Sequence, residues 1–130
     1  MNKCDGAIPA ISVVMSVYNG EKFLIEAIES ILNQTFSDFE FIIINDGSTD
    51  ESLKIIEEYT LRDLRIRLIS RANKGLISSL NEGIENARGE WIARMDADDI
   101  SLPDRFEKQL AWLKKTQADI CGGWIKLIGS

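Results

Sequence analysis

The sequence predicts an α/β fold with three layers, α/β/α, around a mainly parallel sheet. Three observations carry this prediction. Short apolar runs rich in β-branched residues recur along the chain. Between them lie stretches whose apolar residues repeat at helical spacing. The joints are short and polar, so each helix returns the chain to a strand beside the last one, and right-handed crossovers then make the strands parallel. Ile11 to Val17 (ISVVMSV) reads as a central strand covered on both faces. Glu21 to Asn33 reads as a helix. Phe23, Leu24, Ala27, Ile28, Ile31 and Leu32 draw its apolar stripe, with Glu26, Glu29 and Ser30 off it. Phe39 to Ile44 (FEFIII) is the second strand. Gly47 to Asp50 turns the chain, and Ser48 with Glu51 fits a capping box opening a helix through about Tyr59. Leu64 to Ile69 alternates, as a half-exposed strand near a sheet edge does. Lys74 to Ala87 is a helix with Leu76, Ile77, Leu80, Ile84 and Ala87 inward, closed by Arg88-Gly89. Trp91 to Met95 is the fourth strand. Ser101, Pro103 and Asp104 open a last helix that buries Phe106, Leu110 and Leu113. Asp119 to Ile128 reads as a fifth strand, bent at Gly122-Gly123. Trp91, Trp112 and Trp124 read as core or half-buried packing.

The 130 residues suit one domain, taken as residues 11–130 behind an N-terminal tail of residues 1–10. The chain is 45% hydrophobic and 28% charged, which excludes disordered and collagen-like classes. Fifteen Lys plus Arg against 21 Asp plus Glu give a net charge of −6. General binding to nucleic acid or anionic membrane needs the opposite balance. There is no His, which removes imidazole bases, ligands and proton shuttles. Cys4 and Cys121 lie at opposite ends and form no CxxC pair, so they read as two free thiols in a reducing compartment. No apolar run approaches the roughly 18 residues of a membrane helix. Lys3 followed by Ala7 to Val17 resembles a signal peptide, but Tyr18-Asn19-Gly20-Glu21 offers no cleavage site. A buried strand and a cytoplasmic protein are the expectation.

In a parallel sheet of this kind the binding crevice lies beyond the carboxyl ends of the strands. Ser16, Tyr18 and Asn19 follow the first strand, and Asn45 and Asp46 follow the second. Ser70, Arg71, Asn73, Lys74 and Gly75 follow the third, and Asp96, Asp98 and Asp99 the fourth. Each loop alone is ordinary turn chemistry, but four of them converge on one sheet edge. Met95-Asp96-Ala97-Asp98-Asp99 is the sharpest of these segments. Like charges that close repel unless a cation sits among them, and carboxylates without His or thiolate suit Mg²⁺ or Mn²⁺. The alternative is a solvated acidic turn. Asp46 can accept hydrogen bonds from a base or sugar, or can form an Asx-turn. Gly75 admits close backbone approach, or only starts its helix. Arg71 and Lys74 can meet phosphate, and Arg71 reads more simply as a surface charge.

Four motifs in order resemble the N-terminal half of a family 2 glycosyltransferase of the GT-A, nucleotide-diphospho-sugar transferase type. They are Ser12-Val13-Val14-Met15-Ser16-Val17-Tyr18-Asn19, then Ile44-Asn45-Asp46-Gly47-Ser48-Thr49-Asp50, then Asn73-Lys74-Gly75 with Asn81 downstream, then Gly89-Glu90-Trp91-Ile92 running into Met95-Asp96-Ala97-Asp98-Asp99. Pro103-Asp104-Arg105 follows. The likeness covers Ile11 to Gly129 and implies a truncated GT-A fold. It implies that Ser16 and Tyr18 border a nucleotide, with Tyr18 near the base. Asp46 would hold the base or ribose of a nucleoside-diphosphate sugar, usually a UDP-sugar. Asn73, Lys74 and Gly75 would line the ribose and diphosphate. Asp96 and Asp98 match the DxD motif; Asp98 would meet a divalent cation, Mg²⁺ or Mn²⁺, with Asp99 a further ligand. The chemistry implied is displacement at the anomeric carbon with inversion, the cation countering charge on the departing diphosphate. The acceptor would be a saccharide, lipid-linked or protein group in polysaccharide or glycoconjugate synthesis.

In complete members the base that deprotonates the acceptor lies further along than this chain runs, so no residue here is assigned that role. The expectation is weak, metal-dependent nucleotide binding with little or no transfer. Homodimers through faces bared by truncation, and a peripheral place on the cytoplasmic face of the membrane for the full-length protein, are further expectations. The second reading is a non-catalytic binding or regulatory module of the same fold. A phosphoacceptor receiver domain fails because the first strand ends in Ser-Val-Tyr-Asn rather than an acidic pair. A dinucleotide-binding domain fails for want of GxGxxG.

Overall fold

The computed structural model describes residues 8–118, with the backbone of residues 120–121 and 124–126. Its elements are β1 (Ile11–Val17), α1 (Glu21–Leu32), β2 (Phe39–Asp46), α2 (Ser52–Arg62), β3 (Ile66–Arg71), α3 (Leu76–Asn86), β4 (Trp91–Asp96), α4 (Arg105–Thr116), β5 (Ile120–Cys121) and β6 (Trp124–Lys126). They build one sheet in the order β3-β2-β1-β4-β6-β5. β1 pairs in parallel with β2 and β4, and β2 in parallel with β3. β6 is antiparallel to β4 and to β5. The four parallel strands confirm the α/β prediction, and β3 takes the edge place its alternation foretold. The strand order turns back at β1, so the crevice of such sheets falls between β1 and β4.

The period-2 alternation of the central strands divides the core in two. On one face Ile11, Val13, Met15, Phe41, Ile43, Trp91 and Ala93 pack against α1, α2 and α4. On the other, Val14, Ile42, Ile44 and Ile92 meet Leu80, Ile84 and Ala87, so α3 is the only described helix there. Phe39 and Phe106 join sheet to α4 edge to face, with centroids 5.6 Å apart. Among the described residues no helix is long and apolar enough to cross a membrane.

Several expectations need correction. Ser48 and Glu51 form no capping box: α2 starts at Ser52, without a side-chain bond from its N-cap Glu51. The helix also runs past Tyr59 to Arg62. In α3 Leu76 and Ile77 are exposed, and Ser79 and Gly83 are the buried positions. Small residues win because the helix lies so close to the sheet that a Cβ on Gly83 would fall 2.4 Å from Val14 Cγ1. Trp112 is 48% exposed and lies outside the core, whereas Trp91 is buried. The expected fifth strand is two short strands, β5 and β6, paired in a hairpin. Gly122, Gly123, the side chain of Trp124, and Cys4 lie outside the described residues.

Candidate functional site

Register sets the site. Ser16 pairs with Ile44 on one side and with Asp96 on the other, and Asp46 pairs with Arg71. Side chains alternate along a strand and match across a register pair. Ser16, Asp46 and Asp96 therefore point to the same face, the one α3 covers. β2 and β4 flank β1, so their ends lie roughly 10 Å apart at the usual strand spacing. All four loops singled out in the sequence leave this one rim.

Asp46 is 2% exposed, and its carboxylate is ringed by donors. Oδ1 accepts from Arg71 Nη1 and, at 2.7 Å, from the Lys74 N–H. Oδ2 accepts from the Gly75 N–H at 3.1 Å and from Asn73 Nδ2 at 3.3 Å. Asn73 Nδ2 also donates to the Asp46 carbonyl at 3.0 Å. Burial works to raise the pKa of Asp46. The Lys74 N–H, the Arg71 guanidinium and the Gly75 N–H outweigh it, and the group titrates below its usual range. A carboxylate has about four acceptor sites, and here four donors meet them. The residue expected to grip a base or ribose is, in this structure, the clamp that shapes the 73–75 loop. Two glycines make that shape possible. Gly47, at φ +73, would drive a Cβ to 2.5 Å from the Asn73 nitrogen. Gly75, at φ +94, leads into α3 with open space where a side chain would stand.

The β1–α1 and β2–α2 loops are stitched together. Asn19, at φ +49, donates its N–H to Ser48 Oγ at 3.0 Å. Its side-chain oxygen accepts from the Thr49 N–H at 2.8 Å and the Asp50 N–H at 3.3 Å. The Gly20 N–H donates to Ser52 Oγ at 3.0 Å and the Glu21 N–H to Asp50 Oδ2 at 3.2 Å. Asp50 also titrates low. Burial raises its pKa, but the Ser52 and Glu21 donors prevail. Ser48 thus ties loop to loop instead of capping its helix; in the β1–α1 loop Tyr18 stands 55% exposed, after half-buried Ser16.

The acidic turn after β4 is built differently. Ala97 faces inward against the core beside Val17, and a methyl on Gly20 would touch it at 3.5 Å. Asp96, Asp98 and Asp99 are exposed and bring one carboxylate oxygen each within 4.8 Å of one another. The Asp99 N–H donates to the Asp96 carbonyl at 3.1 Å, closing the turn. Arg94 approaches Asp96 at 3.4 Å. Three clustered carboxylates with no His or thiolate form a donor set for a hard divalent cation. Next to them a cavity of about 580 Å³ is lined by Arg94, Ile100, Leu102 and Arg105, among others.

The rim thus gathers the candidate site residues Ser16, Tyr18, Asp46, Asn73, Lys74, Gly75, Asp96, Asp98 and Asp99. Asn73, Lys74 and Asp98 present exposed side chains. Two residues gain importance. Asn19 ties two loops together, and the Asn19-Gly20 turn dipeptide is the signal that finds it. Arg71, read as a surface charge, has a side chain only 14% exposed. It bonds Glu82 Oε1 at 2.7 Å, Ser79 Oγ at 3.0 Å and the Ala72 carbonyl at 3.1 Å, besides Asp46.

Comparison with known proteins places this arrangement. EpsJ of Bacillus subtilis, described as an uncharacterized glycosyltransferase, is 44% identical over 115 residues, covering 88% of this chain and 33% of that protein. The crystal structure of Staphylococcus aureus TarS 1-349 in complex with UDP-GlcNAc superposes with a TM-score of 0.78 at 28% identity, over 84% of this chain and 32% of that one. The mannosyltransferase PcManGT of Pyrobaculum calidifontis, solved with GDP-Man and Mn²⁺, shares the fold at a TM-score of 0.75 and 21% identity, over 82% and 33%. The chain therefore spans about a third of the length of these relatives. The fold is the GT-A type. The family model described as Glycosyl transferase family 2 matches residues 12–130, and the chain belongs to that family.

Proposed function

We propose that this chain carries the donor site of a glycosyltransferase. It binds a nucleoside-diphosphate sugar, in the first instance a UDP-sugar, together with Mg²⁺ or Mn²⁺, for transfer with inversion to a saccharide, lipid-linked or protein acceptor. The observation that carries this reading is the register that sets Ser16 beside Asp96, with Asp46 and the 73–75 loop on the same face. TarS bound to UDP-GlcNAc and PcManGT bound to GDP-Man and Mn²⁺ support the ligand class.

Asp98 and Asp99 would hold the cation, with Asp96 beside them; their clustered oxygens fit a hard ion. The cation, when bound, offsets negative charge on a diphosphate leaving group. The chain's own residues bind and orient. Tyr18 offers an exposed ring to a base. Asn73 and Lys74 present exposed polar side chains from a loop held rigid by Asp46. Asn73 Nδ2 is committed to Asp46, so its amide oxygen is the group left to accept from a base or ribose. The Lys74 ammonium supplies positive charge for phosphate.

Titration of UDP into the wild type and Asp98→Ala, with and without Mn²⁺, tests the reading. The wild type is expected to bind at least about tenfold more tightly with Mn²⁺, and Asp98→Ala to lose that gain. Equal affinity of the two proteins in Mn²⁺ would remove Asp98 from the metal site, and no binding by the wild type would remove the donor site.

A further inference from the structure

We infer that Arg71 is a positioning residue of this donor site: it holds Asp46, and through Asp46 the 73–75 loop, in the form that receives the nucleotide. The inference rests on the reading of the rim as a nucleotide site. Arg71 is the last residue of edge strand β3 and pairs in register with Asp46, the last of β2. From there its guanidinium fans out to three separate parts of the chain. Nη1 meets the Asp46 carboxylate and the Ala72 carbonyl. Nε meets Glu82, and Nη2 meets Ser79, both on α3. A planar fork with five N–H donors can serve these acceptors at once; a lysine ammonium, a point charge, cannot.

Consider Asp46 without that fork. Its side chain is 3% exposed, so its negative charge has little water to answer it. The remaining donors are the Lys74 and Gly75 N–H groups and the Asn73 amide, all uncharged. The charged groups facing Asp46 are Arg71 from β3, Glu82 from α3 through that guanidinium, and Lys74 through its backbone. With Arg71 gone, burial acts with one main opponent fewer, and Asp46 takes up a proton at higher pH. A protonated carboxyl offers a donor where two backbone N–H groups need acceptors. The 73–75 loop then loses its form, and Asn73 and Lys74 lose their aim. Arg71 thus acts on the nucleotide through another residue and touches none of it.

The test uses the whole 130-residue chain with UDP and Mn²⁺, comparing wild type, Arg71→Met and Arg71→Lys between about pH 5 and pH 8. Asp46 stays ionised throughout that range in the wild type. Arg71→Met is expected to bind about tenfold more weakly at pH 8. Its affinity relative to wild type should fall further toward pH 5. Arg71→Lys keeps the positive charge, so it should restore a flat ratio while recovering only part of the affinity. A second readout needs no nucleotide: the Asp46 carboxyl carbon and the Lys74 and Gly75 amides, followed by NMR. They should titrate together in Arg71→Met and stay still in wild type. A folded Arg71→Met that binds UDP within twofold of wild type at every pH overturns the inference. So does a loss that is constant with pH, or an Asp46 carboxyl that does not move. If the wild type binds no UDP, the donor-site reading fails on its own, and the NMR titration still decides whether Arg71 governs Asp46 and the loop. Should Arg71→Met not fold, Arg71→Gln carries the same measurements.

Discussion

Replacing Gly83 by alanine is expected to destabilise this protein, against the usual sign for a glycine inside a helix. In an exposed helix the change gains up to about 1 kcal/mol from helix propensity. In α3 the added methyl would lie 2.4 Å from Val14 Cγ1 and 2.9 Å from Ile44 Cδ1. Carbon atoms rest at about 3.5–4.0 Å, so the helix must lift by about 1 Å or a neighbour must yield. The Ile44 tip can swing aside. Val14 is 1% exposed, β-branched and in the middle of β1, so its freedom to move aside is small. Overpacking of this kind costs about 1–3 kcal/mol. The upper part of that range applies, because lifting α3 also loosens Leu80 and Ile84 from the small cluster they cover. Less the propensity gain, a net loss of about 1–2 kcal/mol remains. Urea unfolding of wild type and Gly83→Ala gives the number, with exposed Glu85→Ala as a control expected to stay within about 0.5 kcal/mol. A Gly83→Ala protein as stable as wild type would refute the close approach of α3 to the sheet. Because α3 follows directly from the 73–75 loop, the same variant should also bind UDP more weakly.

The Gly75→Ala change isolates backbone strain, since φ is +94 and no atom stands within 4 Å of the new Cβ. It should cost about 1–3 kcal/mol in urea unfolding and weaken nucleotide binding, and unchanged values in both assays would show that the loop relaxes freely. Glu40 tests the opposite end of the sheet. Its 3%-exposed carboxylate accepts from Ser12 Oγ at 2.5 Å, Arg67 Nη1 at 2.7 Å and the Arg88 N–H at 2.7 Å. Burial raises its pKa, the donors prevail, and the folded value lies below 4.5. Its contribution is therefore present above that ordinary value and is lost as pH falls through the lower folded one. Glu40→Gln should cost about 1–3 kcal/mol at pH 7. The gap between variant and wild type should narrow in urea unfolding below about pH 4, and a gap constant with pH would contradict the charged network.

The order of elements and the rim were legible because both rest on short-range patterns. A strand buried on both faces is mostly apolar, so Ile11–Val17 and Phe39–Ile44 announce themselves despite buried Ser12 and Glu40. Loops at strand ends carry the polar residues that such strands cannot. What stayed hidden depends on partners remote in sequence or on size rather than polarity. Arg71 resembles any surface arginine until Asp46, 25 residues back, and Glu82, 11 residues on, are placed beside it. Leu76 and Ile77 look inward by hydropathy, yet Ser79 and Gly83 are the residues small enough for the close face of α3. Ser48 and Glu51 have the spacing of a capping box, but the Asn19 N–H takes the serine oxygen from another loop. Gly122-Gly123 suits a bend within one strand as well as a turn between two, so the run from Asp119 to Ile128 does not show by itself that β5 and β6 pair with each other.

The rim holds carboxylates of two kinds, and their wiring divides their work. Asp46 is buried, and its charge is met inside the protein by Arg71 and two backbone N–H groups. It is unavailable to a cation and serves to shape a loop. Asp96, Asp98 and Asp99 are exposed, and Arg94 lies 3.4 Å from Asp96. Their combined field repels any diphosphate that approaches along the β1–β4 crevice, by an amount that grows as water is squeezed out. The one Arg94 contact does not balance three carboxylates. If the rim takes a nucleotide as proposed, the clustered charge that suits a divalent ion works against the nucleotide in the ion's absence. On the proposed reading, the dependence of nucleotide affinity on the cation follows from this incompletely balanced charge, and it would be weak had the three carboxylates been paired inside the protein as Asp46 is.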